Sequence, residues 1–390
     1  METCLTLVLD ATVFEHQATG VAKTTAWLYD ACLREAPSLR VIAAHHHELV
    51  WPSADIPPGL RLARHGRRLP SRVWRMAVLP AHVAARSADV VHFPWNGQVP
   101  RLLPGPLVVT TLHDVLPLEI PGYFSDEKAE SRYRRSMQRD LSRTDLLLTV
   151  SDWSKNQILK NFRVAREPLV LHHGPTLDVH TLGPNARADA PAFAGAYVLY
   201  VGGYHPRKGL VQLLRTFLTL RRQNQISGSL LLTGSPHHFS EEFKKLIEEG
   251  RSTGWVQETG YVSDAVLASL YRGAKALIYP SKYEGFGLPP LEAMALGCPV
   301  LTTRGTAIPE VCGDAVCYAE PDDVEQFARA IVALDRDPEL RRDLAARGKA
   351  RAAVFSWARS ANKYLQALMP STAARGPQRG GPRNPSGADT

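Results

Sequence analysis

Short apolar runs recur along the first half of the chain, each closing on polar residues: LTLVLDATVF (5–14), VIAAHHHELV (41–50), ADVVHFPW (88–95), LVVTTLHD (107–114), TDLLLTVSD (144–152) and LVLHHGP (169–175). Such runs predict strands buried on both faces. Thr19 to Glu35 predicts a helix opening at Thr19-Gly20. The pattern restarts with AYVLYVGG (196–203), SLLLTGS (229–235), VQETGYV (256–262), KALIYPS (275–281) and CPVLTT (298–303), with helices over 208–222 and 264–274. Strands alternating with helices predict mostly parallel, doubly wound α/β sheets. Two such sets predict two Rossmann-like domains in tandem. Ligands bind such sheets beyond the carboxyl ends of the strands, so the expected site is a central cleft that both domains face.

The boundaries follow from where the pattern breaks. Residues 1–178 form the first domain. Residues 179–194, where Gly, Pro and Asn break the pattern, read as a linker. Residues 195–355 form the second domain. A helix over 356–368 follows and is expected to pack back on the first domain. The Pro/Gly/Arg-rich residues 369–390 read as a disordered tail.

Composition narrows the setting. The 390 residues are 44% hydrophobic and 22% charged, as in globular proteins, and too many for one ordinary core. No run of about 18 apolar residues predicts a membrane span. The N-terminus METCLTLVLDATVF has no basic region or cleavage site and reads as a strand, not a signal peptide. Cys4, Cys32, Cys298, Cys312 and Cys317 match no disulfide or zinc spacing, so free thiols in a reducing cytoplasm are expected. A net charge of +8 is compatible with nucleic acid, a membrane surface or an anionic substrate. No zinc finger, RNA-binding strand motif or lysine block is present, so no nucleic-acid partner is expected.

Candidate chemistry concentrates in YPSKYEGFGLPPLEAMALGCPVL, residues 279–301. It reads as a strand end, a glycine-rich loop and a helix running about from Pro290 to Leu296, stopped by Gly297. Gly285 and Gly287 let backbone approach a ligand, and the amides of Gly287 and Leu288 can face an anion. Glu284 lies before that helix and Glu292 in its first turn, where the dipole favours a negative charge. Alone, Glu292 is an ordinary helix-start acid. With Glu284 it supplies the acceptors, beside amide donors, that a nucleotide sugar requires.

This E-x7-E spacing, with G-F-G-x-P before the second Glu, resembles the retaining GT-B glycosyltransferases of the GT4 type, the group 1 glycosyl transferases, over about residues 1–368. The resemblance implies a GT-B fold and transfer of a hexose from a nucleoside-diphosphate sugar (GDP or UDP type) to a saccharide or lipid-linked acceptor, with no metal and no further cofactor. It implies that Glu284 lies near the transferred sugar and that Glu292 binds the ribose, with Phe286 beside them. Tyr200-Val201-Gly202-Gly203-Tyr204-His205-Pro206-Arg207-Lys208-Gly209 is similar to the diphosphate-binding segment of the mannosyltransferase-like branch. There Gly202 and Gly203 belong to the donor site, and Arg207 and Lys208 neutralise the leaving diphosphate. His113-Asp114 resembles the family's H-D-x-x-P segment, with His113 on the transferred sugar and Asp114 shaping the cleft. Gly20 and Lys23 resemble its glycine-rich first loop. The S-x-x-S segment Ser151–Ser154 reads first as a helix N-cap. A nucleotide-sugar epimerase or a non-catalytic sugar-nucleotide-binding protein is the alternative on the same architecture.

Other patterns point elsewhere. Asp335-Arg336-Asp337 spells D-x-D, but Asp337-Pro338-Glu339 reads as a helix N-cap. His45-His46-His47 on an extended chain point to opposite faces and do not close together on one ion. Between Arg61 and Arg75 lie six arginines and no acid, with Trp74 among them. That stretch reads as a solvated face or as a peripheral contact with anionic lipid at the inner face of a membrane.

Overall fold

The computed structural model describes residues 5–15, 19–51, 56–65, 69–96, 99–101, 103, 105–177, 195–234 and 240–373. The linker expected over 179–194, Cys4, Arg67, Arg68 and the tail from 374 onward lie outside these residues.

Among the described residues, seven parallel strands form the first sheet: β1 Thr6–Asp10, β2 Arg40–His45, β3 Leu60–Arg64, β4 Val90–Phe93, β5 Leu107–Thr111, β6 Leu146–Thr149 and β7 Leu169–Val170. Their order is β3-β2-β1-β4-β5-β6-β7, and β1 is central, pairing Leu7 with Val41 on one side and Val90 on the other. The second sheet has six: β8 Tyr197–Val201, β9 Ser229–Thr233, β10 Val256–Gly260, β11 Leu277–Tyr279, β12 Val300–Thr303 and β13 Cys317–Ala319, in the order β10-β9-β8-β11-β12-β13. In both, the order reverses beside the first strand, the switch point where an open α/β sheet offers a crevice.

The uninterrupted apolar runs have a simple cause. Successive side chains of a strand point to opposite faces, and both faces are covered. Leu7 and Leu9 pack into one core with Tyr29, while Val8 packs into another with Trp74 and Val91. Tyr197 and Leu199 likewise face one core, and Val198 and Tyr200 the other.

The structure differs from the sequence reading in several places. The run 5–14 is β1 followed by a 3-10 turn over Ala11–Phe14, capped by the Asp10 carboxylate. β3 lies within the arginine-rich stretch, where alternation is masked by exposed Arg61 and Leu62. β13 is only Cys317–Ala319. The last helix runs Trp357–Ala373, further than the 356–368 expected, and so enters the stretch read as tail. Its Ala361, Tyr364 and Leu368 are buried in the core of the first sheet, and Trp357 donates to the Pro175 carbonyl at 2.9 Å. Among the described residues, no helix is long and apolar enough to cross a membrane.

Candidate active site

The strand ends of the two sheets meet across a cleft. On the second-sheet side, Glu284 follows β11. Its Oε1 accepts from Lys208 Nζ at 2.5 Å, Ser281 Oγ at 2.5 Å, Tyr279 OH at 2.8 Å and Arg207 Nη1 at 3.3 Å. The Glu284 amide donates to Thr306 Oγ1 at 2.9 Å, which fixes the loop behind it. Burial alone would raise this carboxyl; Lys208 and Arg207, with hydrogen bonds from Lys208 and Ser281, outweigh it and hold the pKa down at about 2. The two cations sit on a single turn over Pro206–Lys208, ended by Gly209 in the left-handed region (φ 68°) ahead of the helix Leu210–Arg222. Arg207 also donates to the Tyr283 carbonyl at 2.7 Å. Tyr279, Ser281 and Thr306 were not anticipated. The signal for the first two was their place at the carboxyl end of an apolar strand.

The helix after the glycine loop runs Leu288–Ala295, starting earlier than the sequence reading had it. Glu292 is therefore beyond the first turn, and it is buried rather than an exposed helix-start acid. It accepts from the Thr176 hydroxyl and, at 3.3 Å, from Tyr271 OH. Burial pushes its pKa up to about 7, against those hydroxyls and the Lys23 charge. Thr176 comes from the end of the first domain, so both domains build this carboxyl's surroundings.

On the first-sheet side, His113 follows β5. Its Nε2 lies 3.0 Å from the Pro94 carbonyl, which assigns the proton there, and its amide donates to Asn96 Oδ1 at 3.0 Å. Burial lowers the imidazole to about 4, so it is neutral near pH 7 with Nδ1 as acceptor. Asp114 Oδ1 takes the Leu116 amide at 3.1 Å; burial raises this carboxyl to about 6. A Cβ on Gly285 would come 2.8 Å from Asp114 Oδ2, so the glycine is what lets the two loops touch across the cleft.

Phe286 is buried in an aromatic cluster, 4.9 Å from His173 and 6.0 Å from Phe355 between ring centres, so its ring serves packing and only its backbone borders the cleft loop. Gly202 spends its amide on the Thr233 carbonyl at 2.9 Å, and the Gly203 carbonyl accepts from Tyr200 OH at 3.0 Å. Gly287 has a φ of 114° at the helix entrance, and Leu288 sits opposite Gly20, whose added Cβ would lie 4.0 Å from it. Lys23 is paired with Asp264 of the second domain. Ser151 does cap its helix, taking the Ser154 amide at 2.9 Å, and both serines donate to the Gly285 carbonyl, at 2.7 and 3.1 Å. Glu310, which no motif announced, accepts the amides of Asp152 and Trp153 at 2.8 and 3.0 Å and lies 2.7 Å from His172 Nε2. It closes the start of a first-domain helix with a second-domain carboxylate.

A cavity of about 680 Å³ opens between His113, Asp114 and Trp95 on one wall and Pro206 and Arg207 on the other. Elsewhere, Asp337 caps its helix by accepting two amides at 2.9 Å, and Asp335 pairs with Lys275 at 2.6 Å. Among the described residues the three histidines do not converge: His45 is not in the group, whereas His46 and His47 come close to Glu15 because the chain turns after β2. Glu15 Oε1 also takes their two amides, at 2.7 and 3.0 Å. The arginine stretch is not one surface: Arg75 pairs with Asp10 at 2.9 Å and Trp74 is fully buried, whereas Arg61 and Arg72 are exposed. Cys32, Cys298 and Cys312 are buried free thiols, and Cys317 is half-buried.

Residues 26–176 match the family model Glycosyltransferase Family 4, and residues 191–351 match Glycosyl transferases group 1. Over 267 residues the chain is 34% identical to the O-antigen chain mannosyltransferase B of Escherichia coli, covering 66% of this chain and 69% of that protein. It is 26% identical over 269 residues to the Serotype-specific mannosyltransferase WbdA of Escherichia coli, covering 66% of this chain but 33% of that longer protein. Its fold matches sucrose-phosphate synthase from Thermosynechococcus elongatus with a TM-score of 0.75 at 21% identity, over 95% of this chain and 100% of that one.

Proposed function

The chain belongs to the group 1 glycosyltransferases of the GT4 type, and from that premise we propose that it moves a mannosyl group from a GDP-type donor, with retention, to a hydroxyl of a saccharide or lipid-linked acceptor in polysaccharide synthesis. Use of a nucleotide-sugar donor follows from the family and the GT-B fold. The mannosyl assignment is supported by the names of the relatives and by the Pro206-Arg207-Lys208 segment.

The observation that carries the reading is the cage around Glu284: two cations and two hydroxyls converge on Oε1, and one of them, Arg207, also lines the cavity with neutral His113. A donor diphosphate entering here would draw Arg207 and Lys208 onto its oxygens, where developing charge is neutralised without rearrangement of solvent. Glu284, holding its donors on Oε1, would offer Oε2 to a sugar hydroxyl and stabilise positive charge on the ring. His113 Nδ1 would accept from another hydroxyl of the same sugar. Glu292 would take the ribose hydroxyls. The C1–phosphate bond breaks and the C1–acceptor oxygen bond forms on the same face. The acceptor's proton passes to the leaving phosphate oxygen, so no protein nucleophile is required. The exposed Leu62, Leu69, Val73 and Met76, interspersed with Arg61 and Arg72, support peripheral contact with anionic lipid.

A thermal-shift comparison of GDP, UDP and their mannose and glucose derivatives tests the donor, since a ligand bound only by the folded chain raises its melting point. GDP-mannose should give the largest shift, and release of GDP should require an acceptor. Turnover of the donor into an epimer with no acceptor present would point to the epimerase alternative instead.

A further inference from the structure

We infer that the 680 Å³ cavity is the acceptor subsite and that it seats an uncharged hexopyranose ring against Trp95 and Tyr123. The inference rests on the transferase reading and goes beyond it by naming the recognising surface and the kind of acceptor. The cavity is lined by His113 and by Arg207 of the Glu284 cage, so a molecule held there presents its hydroxyls to the face from which the leaving phosphate would depart. Its volume is within the range of small-molecule sites, about 300–1,000 Å³.

Two independent features identify the occupant. The first is aromatic exposure. Among the described residues the exposed large aromatics are Trp95 at 46%, Tyr123 at 57% and Tyr261 at 64%, and the first two border this one cavity. Both are held on braced loops. Trp95 lies between Pro94, whose carbonyl takes the His113 proton, and Asn96, whose side chain spans the His113 amide and, at 3.4 Å, the Asp114 carbonyl. Tyr123 follows Gly122 in the left-handed region and packs edge-on against Phe124 at 5.2 Å. A fixed aromatic face left in water suits a partner with an apolar face and a polar rim. A pyranose has that form: axial and ring C–H groups lie on its faces and hydroxyls around its edge.

The second feature is charge. Among the described residues Arg207 is the one arginine or lysine lining the cavity, and its guanidinium is already directed at Glu284 and the Tyr283 carbonyl. The first-domain wall instead offers the Asp114 carboxyl and the Asn96 amide, which match hydroxyls. A phosphate on the acceptor that approached this wall would face the Asp114 carboxyl, on the side away from Arg207.

The test is steady-state kinetics with mannobiose as the neutral acceptor, together with equilibrium binding of mannobiose to the GDP-loaded protein by calorimetry. Trp95→Ala and Tyr123→Ala should each raise the acceptor KM about 10-fold or more and weaken mannobiose binding in parallel, while Trp95→Tyr retains most of both. The GDP-induced thermal shift serves as the check that fold and donor side persist. Unchanged mannobiose binding in both alanine variants would overturn the inference, as would tighter binding of an inositol phosphate than of mannobiose by the wild type. Because binding is read without a sugar donor, a platform that fails is distinguishable from a transferase assignment that fails, which the nucleotide shift reports.

Discussion

Glu284 and Glu292 are eight positions apart and both buried, yet their surroundings push them in opposite directions. Glu284 is held at about 2 and Glu292 is raised to about 7. The loop before the helix brings Glu284 onto Arg207 and Lys208; the helix turns Glu292 inward, where hydroxyls of Thr176 and Tyr271 are its direct partners. Burial is similar, so counter-charge makes the difference. One carboxylate is held ionised by the cations that it organises. The other is pushed up by burial with no cation in direct contact among the described residues, and under the proposed role it would favour its ionised form on meeting ribose hydroxyls.

The largest expected effect comes from removing that counter-charge. Glu284→Gln should lower transfer by 10²-fold or more. It should also cost about 3–5 kcal/mol of stability by leaving two cations uncompensated, read from urea unfolding. Lys208→Ala should lower kcat similarly. Full turnover in either variant would contradict the placement of the reaction centre. For the wild type, the stability supplied by Glu284 is fully present above its ordinary 4.5 and lost as pH falls towards 2.

Next is Glu292→Gln, which should raise the donor KM about 10-fold, in line with loss of a charge-assisted hydrogen bond. Its pH behaviour sharpens the comparison. A carboxyl raised from 4.5 to about 7 contributes stability below 4.5 that is lost as pH rises to 7. The ligand-free Gln variant should therefore gain on the wild type across that window. Wild-type nucleotide affinity should strengthen as pH rises through 7, and the variant's should stay flat. Parallel profiles would mean that Glu292 does not meet the nucleotide.

The smallest effect is expected at the Lys23–Asp264 pair. It joins the domains but is partly exposed, at 16% and 36%. Lys23→Ala should change stability by about 1 kcal/mol or less, with the difference fading in high salt. A large loss of transfer would show that the pair sets the cleft geometry and does not merely decorate it.

Much was legible because its cause is local. Strand runs, the N-caps Thr19, Ser151 and Asp337, and the glycine loop around Glu284 each follow from residues within a few positions of one another. The element bounds were less so: the helix carrying Glu292 begins at Leu288, because its prolines occupy the first turn without opening it. β3 was hidden by its arginines. The roles of Thr176, Glu310 and the two serines were hidden for another reason, since their partners are more than 100 positions away.

From the sequence alone came two parallel α/β units, the glutamate pair and the Arg207-Lys208 segment of a candidate nucleotide-sugar site, because periodicity and backbone chemistry are short-range. Only the tertiary structure decided which glutamate meets cations and which is raised by burial, that the Phe286 ring is buried among aromatics, that Arg75 and Trp74 turn inward, and that Trp95 and Tyr123 share a cavity. Those depend on burial and on charges brought together across the cleft, and neither is a property of any one stretch of chain.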